Sequence, residues 1–250
     1  VGPVKGRIRA LLADETGEVV PGDVMGQITA EALGAETVFT PISSNTGVLL
    51  SGQFTRGVRT AIGSPHVIAG MRSSAGAVVG YEANGGFLLG FQAQGPSGAL
   101  PPLMTRDAAL PVIAGLAQIR AIGVKATVAA QPQRFTAADR LQDVDLDSVA
   151  TFLHQLRHSD NDRAAFLTPL GSTCRSIDET DGVQMTLLDG HIVHLRPSGN
   201  APEMRLYVEA SSPEDARNML MKDKLCDKTH RTYRIVSIYK LLGIICVGRV

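Results

Sequence analysis

The chain has 250 residues, 44% of them hydrophobic, and Lys+Arg balances Asp+Glu, so its formal net charge is zero. That is enough apolar chain for two domains of ordinary size, and it excludes an intrinsically disordered protein. A zero balance gives no general electrostatic case for nucleic acid or an anionic membrane, so any anion site has to be local.

Residues 7–13 read as strand and Glu15-Thr16-Gly17 as a turn. Asp23 is expected to cap a helix over 24–33, closed by Gly34. Strand and helix then alternate: strand at 37–42, helix at 46–56, helix from Pro65 to Met71, strands at 77–82 and 87–91. A helix over 105–122 carries apolar Leu110, Ile113, Leu116 and Ile119 and ends at Gly123. This order predicts a layered α/β domain ending near Gln131-Pro132-Gln133-Arg134. In the second half, Leu146, Val149, Leu153 and Leu156 keep helical spacing. Strands at 183–188 and 191–195 flank Asp189-Gly190, a two-residue hairpin signal. A third strand at 204–209 turns Met204, Leu206 and Val208 one way and Arg205, Tyr207 and Glu209 the other. Ser212-Pro213-Glu214-Asp215 starts a helix. The fold class expected is α/β: a layered α/β domain followed by a smaller α+β domain with an antiparallel sheet.

After Leu220 the composition changes. Residues 221–250 hold seven Lys/Arg, two Asp, no Glu and no Ala. They read as an atypical basic tail, either an extension or a frame-altered stretch. The run at 241–247 is too short for a bilayer, which takes about 20 residues. The first residues lack the apolar segment of a signal peptide. Cys174, Cys226 and Cys246 are far apart and form no CxxC pair, so neither a zinc site nor a disulfide framework is indicated. A reducing cytoplasm is the simplest setting.

Two stretches ask for more than a turn. Between two strands lies Arg196-Pro197-Ser198-Gly199-Asn200-Ala201-Pro202. Amides of Ser198, Gly199 and Asn200 can surround an anion, and the serine hydroxyl and asparagine amide add donors. Arg196 adds a permanent charge whose fork fits phosphate, and the two prolines stiffen the loop. The plainer reading is a surface turn with an incidental arginine. The second stretch is Gly80-Tyr81-Glu82-Ala83-Asn84-Gly85-Gly86-Phe87. Glu82 can accept from neighbouring hydroxyls of a polyol, and Asn84 can donate or accept. The plainer reading is a chain reversal.

Together these stretches resemble the α-D-phosphohexomutases, the phosphomannomutase/phosphoglucomutase family. The first resembles that family's phosphate-binding loop, with Asn200 and Ala201 where Thr and Glu are commoner. The second resembles its sugar-recognition loop. Gly63-Ser64-Pro65-His66-Val67 is similar to a third-domain loop that reaches substrate, which implicates Ser64 and His66. The resemblance covers residues 11–220. It implies the end of a metal-loop domain 2 at 1–34, a sugar-recognition domain 3 at 35–134 and a phosphate-binding domain 4 at 135–220, with the basic tail at 221–250.

The family moves a phosphoryl group between the 6- and 1-positions of a hexose phosphate through a phosphoserine. Mg2+ is held by aspartates of a D-x-D-x-D-R loop. This chain departs from both parts. Val4, Gly6 and Ile8 stand where the aspartates belong, and none has a side-chain oxygen for magnesium. No T-x-S-H-N-P serine loop is present. Ser43 and Ser44 in Thr40-Pro41-Ile42-Ser43-Ser44-Asn45 read instead as helix-start capping residues. No catalytic residue and no metal ligand is therefore assigned. The chain alone is expected to bind a hexose phosphate without turning it over. Three readings stay open: part of a mutase, a non-catalytic phosphosugar-binding module, or a weakly binding fragment.

The histidines are read plainly. His191 and His194 face opposite sides of one strand and cannot share a metal. His194 reads as a satisfied strand histidine. His154 and His158, four apart on a helix, read as part of a solvated face.

Overall fold

The structure, a computed structural model, describes residues 12–95, 97–120 and 122–221. They divide between Gln133 and Arg134 into two compact units.

In the first unit a turn at Glu15–Gly17 is organised by Asp14, whose Oδ1 accepts from the Thr16 and Glu18 amides. Helix α1 (Gly22–Ala32) follows. Asp23 does not cap it, contrary to expectation. The cap residue is Pro21, and the Asp23 carboxylate, 1% exposed, accepts from the Asn45 amide across the fold at 2.9 Å. The helix closes as expected at Gly34, whose φ of +68° is left-handed. Strand β1 (Thr37–Pro41), helix α2 (Gly47–Leu50) and strand β2 (Arg56–Thr60) come next. The helix expected over 46–56 is one turn long. It ends at Ser51-Gly52, with Gly52 at φ +67°, because the chain must return to pair β2 in parallel with β1.

Helix α3 (Ser64–Arg72), strands β3 (Val78–Tyr81) and β4 (Phe87–Leu89), the small hairpin β5 (Ala93–Gly95) and β6 (Gly98–Leu100), strand β7 (Leu103–Asp107), and helices α4 (Ala109–Ile119) and α5 (Val124–Ala129) complete the unit. Residues 105–107, expected as helix, belong to β7. Asp107 Oδ1 accepts from the Ala109 amide at 2.7 Å, so the helix starts only after it. The main sheet runs β2-β1-β3-β4-β7, parallel across β2-β1-β3 and antiparallel beyond.

Alternation along the strands feeds two cores. Val38, Val79, Phe87 and Leu89 pack with Ala30 of α1 and Val48 of α2. Phe39, Val78 and Leu88 pack with Val67 and Met71 of α3. Gly26 lets α1 lie flat on the sheet: a Cβ there would stand 2.3 Å from Tyr81 Cγ. Residues 12–34 thus pack within this unit. Small residues on α1 make that approach possible.

In the second unit the elements are β8 (Phe135–Gln142), α6 (Leu146–His158), α7 (Asp160–Leu167), β9 (Cys174–Asp178), β10 (Val183–Leu187), β11 (Ile192–Pro197), β12 (Glu203–Ala210) and α8 (Pro213–Met221). The sheet is antiparallel throughout, in the order β8-β12-β11-β10-β9. One face, with Val183, Met185, Leu187, Val193, Leu195, Met204, Leu206 and Val208, packs on Val149, Phe152, Leu153 and Leu156 of α6 and Phe166 and Leu167 of α7. Asp145 caps α6 by accepting from the Ser148 amide at 2.9 Å, and the two hydrogen bonds from Ser148 hold its carboxyl below the usual range. Ser212 and Asp215 form the expected cap of α8. Layered α/β followed by antiparallel α+β is the architecture that the sequence predicts.

Candidate functional site

The first unit presents Glu82–Gly86 directly after β3. The reversal is closed by Glu82 N donating to Gly86 O at 3.0 Å and Gly85 N donating to Glu82 O at 2.9 Å. Gly85 sits at φ +85°, where a side chain would be strained. Glu82 is 5% exposed. Its Oε2 accepts from Asn84 Nδ2 at 3.1 Å and lies 3.5 Å from Arg106 Nη1. Asn84 Oδ1 in turn accepts from the Gly86 amide at 3.0 Å. Glu82 and Asn84 are therefore joined into one oriented pair. Arg106 offsets the cost of burying the carboxylate. Sequence reasoning missed Arg106, because it reaches back 24 residues from β7.

Ser64 and His66 open the first turn of α3, after β2, with Ser64 half-buried and His66 exposed. Strand β1 lies between β2 and β3, so these two residues and the Glu82–Asn84 pair leave the sheet on either side of it. Ser43 and Ser44, on the loop after β1, are not the expected helix caps. The cap residue of α2 is Thr46, without a side-chain cap bond, and Asn45 Oδ1 accepts from the Gly47 amide at 2.9 Å just before the helix. Beneath lies Tyr81, whose phenol burial holds far above its usual value, with the nearby Asp23 charge adding to the effect.

In the second unit Arg196 lies on β11 opposite Arg205 of β12. Its Nε is 3.1 Å from Asp181 Oδ1, with both side chains largely buried. Asp181 sits on a turn, and nothing in its local sequence marks it as a partner. In the loop beyond, Ser198 N donates to Glu203 O at 2.7 Å and Asn200 N to Ser198 Oγ at 3.4 Å. Two of the three amides expected to surround an anion are thus engaged within the loop. Gly199 and Asn200 are what the loop exposes, while Arg196 stands behind them, paired with Asp181. Ser198 is buried, whereas Gly199 and Asn200 are exposed.

His194 is buried as expected, its Nε2 2.6 Å from Asp181 O and its ring stacked on Tyr207. His154 and His158 are exposed, their ring centroids 4.2 Å apart and their planes tilted by 33°. Among the described residues, no group of three or more His, Cys, Asp or Glu side chains could hold a metal ion. Val4, Gly6 and Ile8, at the expected position of the metal loop, lie outside the described residues. The described residues do not fit a magnesium ion.

Comparison with known proteins draws these features together. Residues 124–225 match the family phosphoglucomutase/phosphomannomutase, C-terminal domain. A phosphomannomutase of Salmonella muenchen is 41% identical over 219 residues, covering 85% of this chain and 45% of that protein. The chain spans about half the length of the curated relatives it matches. A phosphoglucomutase/phosphomannomutase family protein from Burkholderia thailandensis superposes with a TM-score of 0.59 at 14% identity, over 88% of this chain and 45% of that one. N-acetylphosphoglucosamine mutase of Aspergillus fumigatus, solved with GlcNAc-6P and magnesium, superposes with a TM-score of 0.55 at 15% identity, over 93% of this chain and 46% of that one. At such identities the superpositions establish the fold, which is that of phosphohexomutases. The sequence matches add a narrower finding: residues 124–225 carry the C-terminal domain of the phosphoglucomutase/phosphomannomutase family, and over 85% of its length the chain is similar to phosphomannomutases.

Proposed function

We propose that this chain supplies sugar and phosphate recognition for intramolecular phosphoryl transfer between the 6- and 1-positions of a hexose phosphate. The observation that carries this reading is the buried Glu82 carboxylate, oriented by Asn84 and Arg106 at the carboxyl end of a parallel strand. Glu82 accepts from sugar hydroxyls, with Asn84 beside it, and Ser64 and His66 contribute from the neighbouring loop. Arg196, Ser198, Gly199 and Asn200 hold the phosphate that is not reacting. Such residues bind and orient the substrate, which matters for a transfer governed by position and charge. In the family Mg2+ offsets charge on the transferring group; here its ligands would have to come from outside the described residues. We place the protein in the cytoplasm. No helix among the described residues is long and apolar enough to cross a membrane.

Glu82→Gln tests the reading. It keeps the shape and the contact to Asn84 but removes a charged acceptor. Affinity for glucose or mannose 6-phosphate is expected to fall by about 1 kcal/mol, roughly fivefold. Inorganic phosphate should bind as before or slightly better, because a negative charge is gone. Calorimetric titration with each ligand decides it, and an unchanged sugar-phosphate affinity would reduce the loop to a turn.

The 250-residue chain by itself is expected to show no mutase turnover, since no T-x-S-H-N-P loop is present to donate a phosphoryl group. Binding alone does not favour the transition state over the ground state. A coupled assay with magnesium and a hexose bisphosphate activator checks this. Turnover abolished by Arg196→Ala would contradict it.

A further inference from the structure

Strand β1 is flanked by β2 and β3, so its carboxyl end opens between the two loops assigned to the sugar. It is also where strand order reverses: β1 leads to β2 on one side, and β3 returns to the other. Ligands of open α/β sheets bind in the crevice outside such a point. The segment occupying it is Ile42-Ser43-Ser44-Asn45, which no role assigned above uses.

This segment is pinned from two sides. Arg59 of β2 donates to the carbonyls of Ile42 at 2.8 Å, Ser44 at 2.5 Å and Asn45 at 2.7 Å. Asp23 accepts from the Asn45 amide at 2.9 Å. The first turn of α1 that carries Asp23 also abuts the sugar loop. A Cβ on Gly22 would stand 2.4 Å from Gly85 N and 2.5 Å from Ala83 O. One helix end therefore registers both loops. Within the pinned segment the Ser44 hydroxyl, 2% exposed, has no hydrogen-bond partner among the described residues. A buried hydroxyl in that state carries an uncompensated desolvation cost, which an arriving polar ligand would recover.

We propose that residues 42–45 form the middle wall of the sugar site and that Arg59 is their positioning residue, holding Ser44 where a sugar hydroxyl arrives. The proposal rests on the sugar-binding role of the first unit. Arg59 acts through the backbone it grips. Its planar fork serves three carbonyls at once, which the single ammonium of lysine on a flexible stem cannot do.

Two variants of the 250-residue chain test this, Arg59→Lys and Ser44→Ala. Hydrogen exchange reads the amides at 44–47, and calorimetry reads glucose 6-phosphate against inorganic phosphate. In Arg59→Lys the loop amides should exchange about tenfold faster. Sugar-phosphate affinity should fall several-fold, with inorganic phosphate unaffected. In Ser44→Ala the loop should stay protected while sugar-phosphate affinity falls. Faster exchange in Arg59→Lys with unchanged sugar-phosphate affinity would make Arg59 merely structural and overturn the proposal. Unchanged exchange would remove the clamp altogether. An unchanged affinity in Ser44→Ala would remove the hydroxyl contact even if the lysine variant does not fold. Should the unaltered chain fail to prefer glucose 6-phosphate over inorganic phosphate, the sugar-binding role itself falls and the middle-wall assignment with it. The clamp is then still judged by exchange.

Discussion

Replacing Arg134 by methionine is expected to destabilise the second unit by about 3–5 kcal/mol, the cost of breaking a buried ion pair from one side. Arg134 Nε lies 2.5 Å from Glu209 Oε1, and the side chains are 13% and 4% exposed. Its Nη2 also donates to Gly190 O at 2.7 Å. One guanidinium thus ties the entry of β8 to the end of β12 and to the β10–β11 turn. Without it a carboxylate remains in the interior, stripped of both water and its cation. The double variant Arg134→Met/Glu209→Leu should recover most of the loss, since an apolar pair carries no desolvation penalty. Urea unfolding measures both. A single variant within about 1 kcal/mol of the unaltered chain, or a double variant no better than the single, would show that the pair does not hold the sheet edge.

Arg196→Ala should weaken hexose-phosphate binding by about 1.5–3 kcal/mol, between one and two orders of magnitude, the scale of a charged hydrogen bond. Binding of the unphosphorylated sugar should change little. The neighbouring carboxylate sharpens the test. Asp181 lies 3.1 Å from Arg196 Nε and competes with phosphate for the same cation. Asp181→Asn removes that competition and should tighten phosphate binding, whereas it should do nothing in an Arg196→Ala background. Equal losses of sugar and sugar phosphate in Arg196→Ala would remove the phosphate role. A tightening by Asp181→Asn that persists without Arg196 would assign the effect to general charge.

Where a signal is local, the sequence carries it. The Asp189-Gly190 hairpin, the alternation of Met204, Leu206 and Val208, the Ser212–Asp215 cap and the Gly34 stop each depend on residues a few positions apart, and each is present. The two loops could be singled out for the same reason: glycine, proline and hydrogen-bonding side chains sit side by side in the chain. The family resemblance followed from the pair of loops in order. Elements with weak periodicity escaped. β8 carries Asp139 and Arg140 in mid-strand and is held by pairing with β12 along its length, from Phe135 opposite Ala210 to Gln142 opposite Glu203. α7 and β9 escaped as well.

Only the tertiary structure could decide what each polar group spends itself on. Asp23 looks like a helix cap in sequence, yet its carboxylate holds Asn45, 22 residues away. Arg106 reaches Glu82, Asp181 reaches Arg196, and Arg59 reaches three carbonyls of a loop that sequence reading dismissed as caps. The physical reason is one of range. Helix, strand and turn preferences are set by neighbours along the chain. The partners of a buried charge are set by which strands lie side by side, and burial makes finding such partners obligatory. By itself this sequence determined its locally signalled elements and its fold class, and it singled out two loops. Sheet order, by placing β1 between β2 and β3, decided which residues stand together at the crevice.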